Sequence, residues 1–333
     1  MLQDEGYRGN GLFLSQSWLC FLQRQVVFAN EIDKSDLVPK INEHGEVKDM
    51  DLIVNSMRVG AMMVKAGFIP DPRKNFPKIR DMKIFDDDIL ICAYQKAGTH
   101  WLWEIASMLN KGSSEYERKT KESVMLEFND PDQFDNLARP RVLNTHLIFE
   151  ALPKGILEKR CRVLYIQRNP KDMTVSCYNH MKGMRPPEAP KMVWDDYCYF
   201  SLTGQEPFVP WYKHREGFEQ ELDDRQDHIL SLFYEDIKKV DPVTEIKKIA
   251  SFLKVECSDD FATEIAEKCN FKNMKEADKK KEHMLSKDLN FLYRKGEVGD
   301  WKNWYTVAQN EKTDKLIAEK SKNSRFQYKY TLK

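Results

Sequence analysis

The segment at 95–101, which reads QKAGTHW, has the residue types of an anion-binding loop. It lies between an apolar run and a stretch with helical periodicity. Gly98 permits a tight turn and a close approach of the backbone to a ligand. Thr99 is a good N-cap residue, and the free backbone N–H groups at a helix N-terminus favour a negative charge. Because Lys96 adds a full positive charge, the segment predicts a phosphate-binding loop.

The order of the residues in this loop excludes the Walker A motif. In Walker A, which reads GxxxxGK[ST], the lysine directly follows the last glycine. Here Lys96 precedes Gly98, and no glycine lies four or five residues upstream of Gly98. Taken alone, the loop has an alternative interpretation, an ordinary strand-to-helix turn with a surface lysine, since short motifs match by chance.

A second candidate anion site follows the apolar run at 162–167. Arg168 ends this run, and it is followed by Asn169 and Pro170. Asn is a good N-cap and Pro suits the first helical position, so Arg168 would lie beside a helix N-terminus. There its guanidinium could bind a phosphate through two hydrogen bonds, and Ser176 could add a hydroxyl. Alone, either residue could equally be an exposed Arg or a helical Ser, but two such loops suggest a ligand with separated phosphates.

Two further segments could complete the site. The stretch RKGEVGDWKNWYT at 294–306 begins with a compact basic turn, Arg294, Lys295 and Gly296, which could clamp a phosphate. His146 ends another apolar run, where a neutral imidazole could take up a proton at about pH 7. The alternative interpretations are a charged surface turn and a structural histidine.

Four apolar runs of strand length would have to bring these residues together. The runs span residues 88–94, 141–147, 162–167 and 228–234. They alternate with stretches of helical periodicity, which favours a parallel sheet covered on both faces. Ligands of such sheets bind beyond the carboxyl ends of the strands. The sequence therefore predicts an α/β fold with a central parallel sheet flanked by helices and with the site at one edge.

The composition excludes several classes of protein. Of the 333 residues, 41% are hydrophobic and 32% charged, as in globular proteins. Lys plus Arg and Asp plus Glu both total 53, so no global field favours nucleic acid or an anionic membrane. The seven cysteines and seven histidines form no metal-binding motif, so we expect reduced thiols and no metal.

The N-terminal residues stand apart from the regular pattern. The apolar stretch at 12–28 is interrupted by Ser, Gln and Arg, which makes it a poor signal peptide and a poorer transmembrane helix. We therefore expect no stable insertion into a membrane. We predict that residues 1–60 are an extension or a peripheral layer and that residues 61–333 form a single domain.

Three segments, in this order, resemble the cytosolic sulfotransferases, which use 3′-phosphoadenosine-5′-phosphosulfate (PAPS). They are YQKAGTHW at 94–101, YIQRNPKDMTVSCY at 165–178 and RKGEVGDWKN at 294–303. The resemblance extends from about Gly67 to the C-terminus. It implies a P-loop-like sulfotransferase fold and a cytoplasmic enzyme. The implied reaction is transfer of a sulfuryl group from PAPS to a hydroxyl or amine of a small, mostly apolar acceptor, such as a phenol, a sterol or another alcohol.

The resemblance also implies roles for individual residues. His146 matches the catalytic base, Lys96 would face the bridging oxygen of the phosphosulfate, and Trp101 would stack on the adenine. Ser176 could hold Lys96 aside until the acceptor binds. The residues implied to bind the nucleotide are Lys96, Ala97, Gly98, Thr99, His100, Trp101, Arg168, Ser176, Tyr234, Phe271, Met274, Arg294, Lys295 and Gly296.

A fourth segment matches the dimerisation pattern of the family, KxxxTVxxxE. Its matching residues are Lys302, Thr306, Val307 and Glu311, so the resemblance implies a homodimer. The chain departs from the family at Asn144, where many members have a lysine, and at His100, where many have Thr or Asn. Cys269 and Asn270 replace small hydroxyl residues that are common near the adenine.

The acceptor pocket is predicted from two stretches, 181–200 and 272–290. Their aromatic and Met-rich character favours flat apolar acceptors, unless the side chains simply pack the core. The candidate wall residues are Met181, Met184, Trp194, Tyr197 and Tyr199, with Phe208, Trp211 and Phe291 beyond. Residues 275–288 are predicted to be a solvated lid or loop.

Two other functions stay open at this point. A small-molecule kinase would use a similar sheet and anion loop, but it needs Mg²⁺ ligands and normally a Walker A loop. A nucleotide-binding scaffold with impaired catalysis would keep the anion sites without turnover. Lys96 and His146 argue against the scaffold.

Overall fold

The structure is a computed structural model that describes six parts of the chain. These are residues 72–159, 161–184, 193–203, 209–239, 241–281 and 292–332. The predicted N-terminal extension and the apolar stretch at 12–28 lie outside the described residues, as does the predicted start of the domain at residue 61.

Four parallel strands form the centre of the fold. They are β1 (Ile89–Ala93), β2 (Val142–Thr145), β3 (Arg162–Gln167) and β4 (Ile229–Phe233). The order across the sheet is β2-β1-β3-β4, and each neighbouring pair is parallel. Each predicted apolar run therefore contains a strand, and the predicted parallel α/β sheet is confirmed.

Helices connect these strands and cover them. The described α-helices are α1 (Pro72–Asp81), α2 (Thr99–Lys111), α3 (Lys154–Lys159), α4 (Pro170–Met184), α5 (Trp194–Thr203), α6 (Trp211–Glu221), α7 (Tyr234–Lys239), α8 (Pro242–Leu253), α9 (Asp259–Lys268), α10 (Phe271–Asp278) and α11 (Val307–Lys320). Short 3₁₀ helices lie at Lys121–Val124, Leu126–Phe128, Pro131–Asn136, Phe149–Ala151 and Asp300–Asn303. None of the described helices is long and apolar enough to cross a membrane.

Hydrophobic side chains cover both faces of the sheet. Successive residues of a strand point to opposite faces, and in β1 and β3 both sets are buried. Ile91 and Leu164 belong to one hydrophobic cluster, which also contains α2 and α8 residues. Cys92 and Tyr165 belong to the other cluster, with residues of α1 and α6. Burial on both faces explains why the strands appear in the sequence as continuous apolar runs.

The helix that follows the phosphate loop begins differently from the prediction. Thr99 is not the N-cap but the first helical residue, and its hydroxyl makes no hydrogen bond. The N-cap is Gly98, which has a left-handed backbone with a φ of 118°. A Cβ at this position would lie 2.8 Å from the ring of Tyr234, so close packing against that ring requires glycine.

The second predicted helix start is confirmed. Pro170 is the first residue of α4. The side-chain oxygen of Asn169 accepts a hydrogen bond from the backbone N–H of Asp172 at 2.8 Å. This contact satisfies one of the free N–H groups at the helix N-terminus and fixes the direction in which the chain leaves β3.

The predicted solvated loop at 275–288 is wrong for its described part. Residues 275–278 belong to α10, and the ammonium of Lys281 forms buried ion pairs with Glu104 and Asp278. The ion pairs offset the cost of burying the lysine and fix this segment to α2. Residues 282–291 lie outside the described residues. Five of the six described cysteines are buried, namely Cys92, Cys161, Cys177, Cys198 and Cys269.

Candidate active site

A cavity opens where the carboxyl ends of the four strands meet. Its lining includes the loop after β1, His146 after β2, Arg168 after β3 and Tyr234 after β4. Parallel strands place their carboxyl ends at one edge of a sheet, so residues far apart in the sequence share this cavity. The location is the one that the strand pattern predicts.

The predicted site residues gather in this cavity with one exception. The lining contains Lys96, Gly98, Thr99, His100, Trp101, His146, Arg168, Ser176, Tyr234, Phe271, Met274, Arg294, Lys295 and Gly296. Ala97 does not line it, because its side chain is buried in the hydrophobic cluster beneath the loop. Its contribution to binding could come only from the backbone.

The backbone of the phosphate loop turns through two left-handed residues. Lys96 has a φ of 63° and Gly98 a φ of 118°. For a residue other than glycine this conformation costs about 1–2 kcal/mol. The N–H of Ala97 donates to the carbonyl of Tyr94 at 3.2 Å, which closes the turn. Such strain is typical of sites where the backbone must hold a ligand.

The ammonium of Lys96 lies inside the cavity. It is 3.3 Å from Nδ1 of His180, a residue of α4. Burial lowers the pKa of Lys96 to about 8, and the charges of Lys121 and Arg168 act in the same direction. The lysine is thus a cation whose proton is held more weakly than in water.

The imidazole of His146 has a defined orientation. Its Nδ1 lies 2.7 Å from the carbonyl oxygen of Ala93. Because a carbonyl can only accept, Nδ1 carries the proton and Nε2 of the neutral ring has a free lone pair. Burial and the charge of Lys121 hold the pKa of His146 well below its usual range. The ring is therefore neutral near neutral pH and can accept a proton through Nε2.

Glu127 supports this histidine from behind. One carboxylate oxygen accepts the backbone N–H of His146 at 2.7 Å, and the other accepts the hydroxyl of Thr145 at 2.7 Å. Burial raises the pKa of Glu127, whereas these hydrogen bonds lower it. The contacts fix the end of β2, which fixes the position of the imidazole.

Arg168 connects the three segments that are predicted to bind anions. Its guanidinium lies over the ring of Tyr234, at 4.4 Å from the ring centre. One terminal nitrogen donates to the carbonyl of Lys96 at 3.4 Å, and the other to the carbonyl of Glu297 at 3.1 Å. These contacts connect the end of β3 to both the phosphate loop and the segment that carries the basic turn.

Two acidic residues that the sequence interpretation missed hold the basic turn in place. Both terminal carboxylate oxygens of Asp300 lie 2.5 Å from a cation, Arg294 on one side and Lys295 on the other. Burial alone would raise its pKa, but the hydrogen bonds from Lys295, Asn303 and Arg294 lower it to about 2. The signal in the sequence was an acidic residue within a basic segment.

The other missed residue is Asp172 at the start of α4. Its carboxylate accepts the backbone N–H groups of Gly299 at 2.7 Å and Trp301 at 2.9 Å. The basic turn is thereby bound to the helix that follows Arg168. At the turn itself, Gly296 has a φ of 68°, and a Cβ there would overlap the ring of Phe271.

One wall of the cavity was not predicted at all. It is formed by the first two 3₁₀ helices and consists of Lys121, Glu122, Met125, Glu127 and Phe128. One oxygen of Glu122 lies 3.1 Å from Nε2 of His100 and 3.1 Å from the ammonium of Lys121. Burial would raise the pKa of Glu122, but Lys121 and His100 hold it well below its usual range.

This wall bears on two of the departures from the family, His100 and Asn144. Burial lowers the pKa of His100, so the ring is neutral, and its Nε2 lies 3.1 Å from one oxygen of Glu122 without making a hydrogen bond. A contact of Nε2 with a sulfonate would have to form beside that carboxylate. Asn144 is fully buried and donates to the backbone carbonyl of Lys121 at 2.8 Å. It therefore supports the backbone that carries the buried lysine.

The predicted aromatic walls do not line this cavity where they are described. Trp194 and Tyr197 pack with Met181 against Tyr178 in a separate cluster. Trp211 packs in the core beneath the sheet edge. For these residues the alternative of core packing is correct. Tyr199, Phe208, Phe291 and the side chain of Met184 lie outside the described residues.

The predicted dimerisation segment lies at the start of α11. Thr306 caps this helix, and its hydroxyl accepts the N–H of Gln309 at 3.2 Å. Val307 follows it and is 77% exposed, the most exposed large hydrophobic side chain among the described residues. Lys302 and Glu311 are also exposed, so the segment forms a surface with one apolar residue between charges.

Comparisons with known proteins give one consistent match. The family model described as "Sulfotransferase domain" matches residues 86–325. Human sulfotransferase 1C2 is 33% identical over 270 residues, which cover 76% of this chain and 90% of that protein. Zebrafish cytosolic sulfotransferase 1 is 32% identical over 272 residues, which cover 77% of this chain and 90% of that protein.

Solved structures agree with these relatives. The crystal structure of mouse sulfotransferase SULT7A1 complexed with PAP is 29% identical and has a TM-score of 0.65, covering 79% of this chain and 92% of that one. Retinol dehydratase complexed with androsterone and PAP has a TM-score of 0.64 at 19% identity, and the match covers 77% of this chain and 87% of that one. The second likeness shows the fold alone.

Proposed function

This chain belongs to the cytosolic sulfotransferase family, and we propose that its cavity binds PAPS and passes the sulfuryl group to a small-molecule acceptor. The observation that carries the proposal is the meeting of Lys96 and His146 in one cavity with the basic turn. The transfer needs two groups: a cation that stabilises the leaving oxygen, and a base with a free lone pair.

The chemistry of the cavity fits a nucleotide with two phosphate groups. Among the described residues, four polar atoms of the cavity lining are buried without a hydrogen-bond partner: the hydroxyl of Thr99, Nε2 of His100, Nε1 of Trp101 and Nε of Arg168. All four can donate, and buried donors are normally satisfied. A phosphate oxygen is an acceptor that could satisfy such donors.

We assign the parts of the nucleotide as follows. The loop from Lys96 to Trp101 would hold the 5′-phosphosulfate through backbone N–H groups and the lysine. Arg168 and Ser176 would hold the 3′-phosphate together with the basic turn at 294–296. The residues that would enclose the adenine are Trp101, Tyr234, Phe271 and Met274.

The transfer follows from these positions. The acceptor oxygen attacks sulfur in line, and its proton moves to Nε2 of His146. The bond from sulfur to the bridging oxygen breaks, and Lys96 stabilises the negative charge that grows on that oxygen. The products are the sulfated acceptor and PAP, the nucleotide without its sulfuryl group. Because a sulfuryl group carries less charge than a phosphoryl group, fixed donors can suffice.

The acceptor is a hydroxyl or amine compound of small size, and we propose phenols, sterols and other alcohols. The decisive experiment is an assay of PAPS-dependent sulfation on a panel of a phenol, a sterol, a retinoid and an amine, with and without EDTA. We expect turnover on at least one compound and no loss in EDTA. A kinase would form no sulfated product from PAPS, and a scaffold would bind PAP without turnover on any compound.

The pH dependence of the reaction has a defined sign. The active form of Lys96 is the charged one, and its pKa is lowered to about 8. We therefore expect kcat/KM for PAPS to fall as the pH rises through about 8. Bound nucleotide would stabilise the charged ammonium, so kcat should begin to fall at a higher pH than kcat/KM does. If kcat and kcat/KM fell at the same pH, that result would contradict this assignment.

We also propose that the protein is a cytoplasmic homodimer, that residues 61–333 form its domain and that the interface is the segment at the start of α11. An exposed valine at a dimer interface would be buried by the partner. The substitution Val307→Lys should therefore convert a dimer into a monomer in sedimentation velocity, without loss of turnover. The control is Lys302→Arg, which keeps the charge. A monomeric wild type at micromolar concentration would contradict the proposal.

A further inference from the structure

His180 lies on α4, one turn beyond Ser176, and lines the cavity. Its Nδ1 is 3.3 Å from the ammonium of Lys96. An ammonium has only donors, so Nδ1 must accept and cannot carry a proton. The contact therefore requires a neutral His180 with its proton on Nε2.

We propose that His180 is a positioning residue that holds Lys96 for the transfer, an inference that rests on the proposed function. A lysine has four rotatable side-chain bonds, so an unrestrained ammonium would occupy many positions. One hydrogen bond to Nδ1 leaves two N–H groups for oxygens of the ligand. Fixing a catalytic group before the reaction removes an entropic cost that otherwise adds to the barrier.

The charges around this contact make it sensitive to protonation. The charged or titratable groups that face Lys96 or lie beside it come from α4, the 3₁₀ wall, and the ends of β2 and β3: Cys177, Lys121, Glu122, His146 and Arg168. Among them the cations outnumber the single carboxylate, Glu122. A protonated His180 would add a further cation 3.3 Å from the ammonium and would displace it.

This arrangement predicts how activity changes in acid. A His180 that becomes charged in acid can no longer accept a hydrogen bond through Nδ1. Lys96 should then lose its fixed position and kcat should fall. His146 does not explain such a limb, because burial holds its pKa well below the usual range.

Two substitutions separate the hydrogen bond from the ring. In His180→Asn, the side-chain oxygen is as many bonds from the backbone as Nδ1 and can accept from Lys96, but it does not titrate. In His180→Phe, a ring of similar size remains without an acceptor. The matched control is Asn179→Ala, which removes another polar residue of α4 that lines the cavity.

The first measurement does not need turnover. The pKa of Lys96 is read in the full chain from the pH dependence of its acetylation rate, followed by mass spectrometry. Removing the acceptor destabilises the charged ammonium, so Lys96 should titrate at a lower pH in His180→Phe than in the wild type. His180→Asn and Asn179→Ala should follow the wild type. Coincident curves for His180→Phe and the wild type would overturn the inference.

The second measurement is the pH profile of kcat with saturating PAPS and the best acceptor. We expect His180→Phe to lose up to about a hundredfold at neutral pH. His180→Asn should stay within about tenfold of the wild type and lose the acid limb, which Asn179→Ala should retain. An unchanged acid limb in His180→Asn would refute the inference. If the wild type itself shows no sulfation, the proposed function fails, while the acetylation experiment still tests the contact.

Discussion

Replacing Lys96 by methionine is expected to lower kcat for sulfuryl transfer by about a hundredfold or more. The loss follows from the place of the ammonium, which lies in the cavity beside the loop that would hold the phosphosulfate. In the transfer, negative charge grows on the bridging oxygen, and a fixed cation stabilises that oxygen more in the transition state than in the ground state. Removing the cation therefore affects kcat more than the binding of the nucleotide.

The substitution is suited to the backbone at this position. Methionine is unbranched at Cβ, as lysine is, so it adds no crowding to the left-handed backbone of residue 96. The fold should therefore be retained. Arg168 and the basic turn at 294–296 are unchanged in this variant, so we expect the dissociation constant for PAP to stay within about tenfold of the wild type.

The experiment compares single-turnover rates and PAP affinity in the wild type and in Lys96→Met. The matched control is Lys238→Met, which removes a second lysine from the same cavity. Lys238 lies over the ring of Trp101, at 5.2 Å from the ring centre, and has no assigned role in the transfer. We expect the control to keep its rate within about tenfold. A rate for Lys96→Met within about threefold of the wild type would remove this residue from the mechanism.

The sequence was sufficient to predict the parts of the site that depend on the sheet. Parallel strands buried on both faces appear in the sequence as continuous apolar runs, so the ends of the strands could be located from the order of apolar residues alone. Lys96, His146 and Arg168, which lie at or just beyond the ends of these runs, must then meet at one edge. The structure places them in one cavity for this reason.

The sequence was not sufficient for parts whose position depends on tertiary contacts. The wall at 121–128 consists of 3₁₀ turns without a period, and its backbone is held by Asn144 from a distant strand. The aromatic stretch around Trp194 has the hydrophobicity of a pocket wall or of a core, and only the packing against Tyr178 decides between them. The N-cap preference of threonine favoured Thr99 as the cap of α2. In the structure the N-cap is Gly98, and the ring of Tyr234 packs where a Cβ of residue 98 would lie.

Replacing His146 by alanine is the second substitution with a large expected effect. We expect kcat to fall by about a hundredfold or more for an aliphatic alcohol, because no other group is assigned to accept its proton. The free lone pair on Nε2 follows from the hydrogen bond between Nδ1 and the carbonyl of Ala93. The control is His228→Ala, which removes a histidine that precedes β4 at the opposite edge of the sheet.

The acceptor itself can distinguish a base from a structural residue. An acidic phenol is already ionised at neutral pH and needs no base, whereas an aliphatic alcohol must lose its proton during the attack. The deficit of His146→Ala should therefore shrink to within about tenfold for an acidic phenol. The deficit of Lys96→Met should persist with the same phenol, because the leaving oxygen belongs to the nucleotide. If His146→Ala were equally impaired with both acceptors, the histidine would hold the site together without taking the proton.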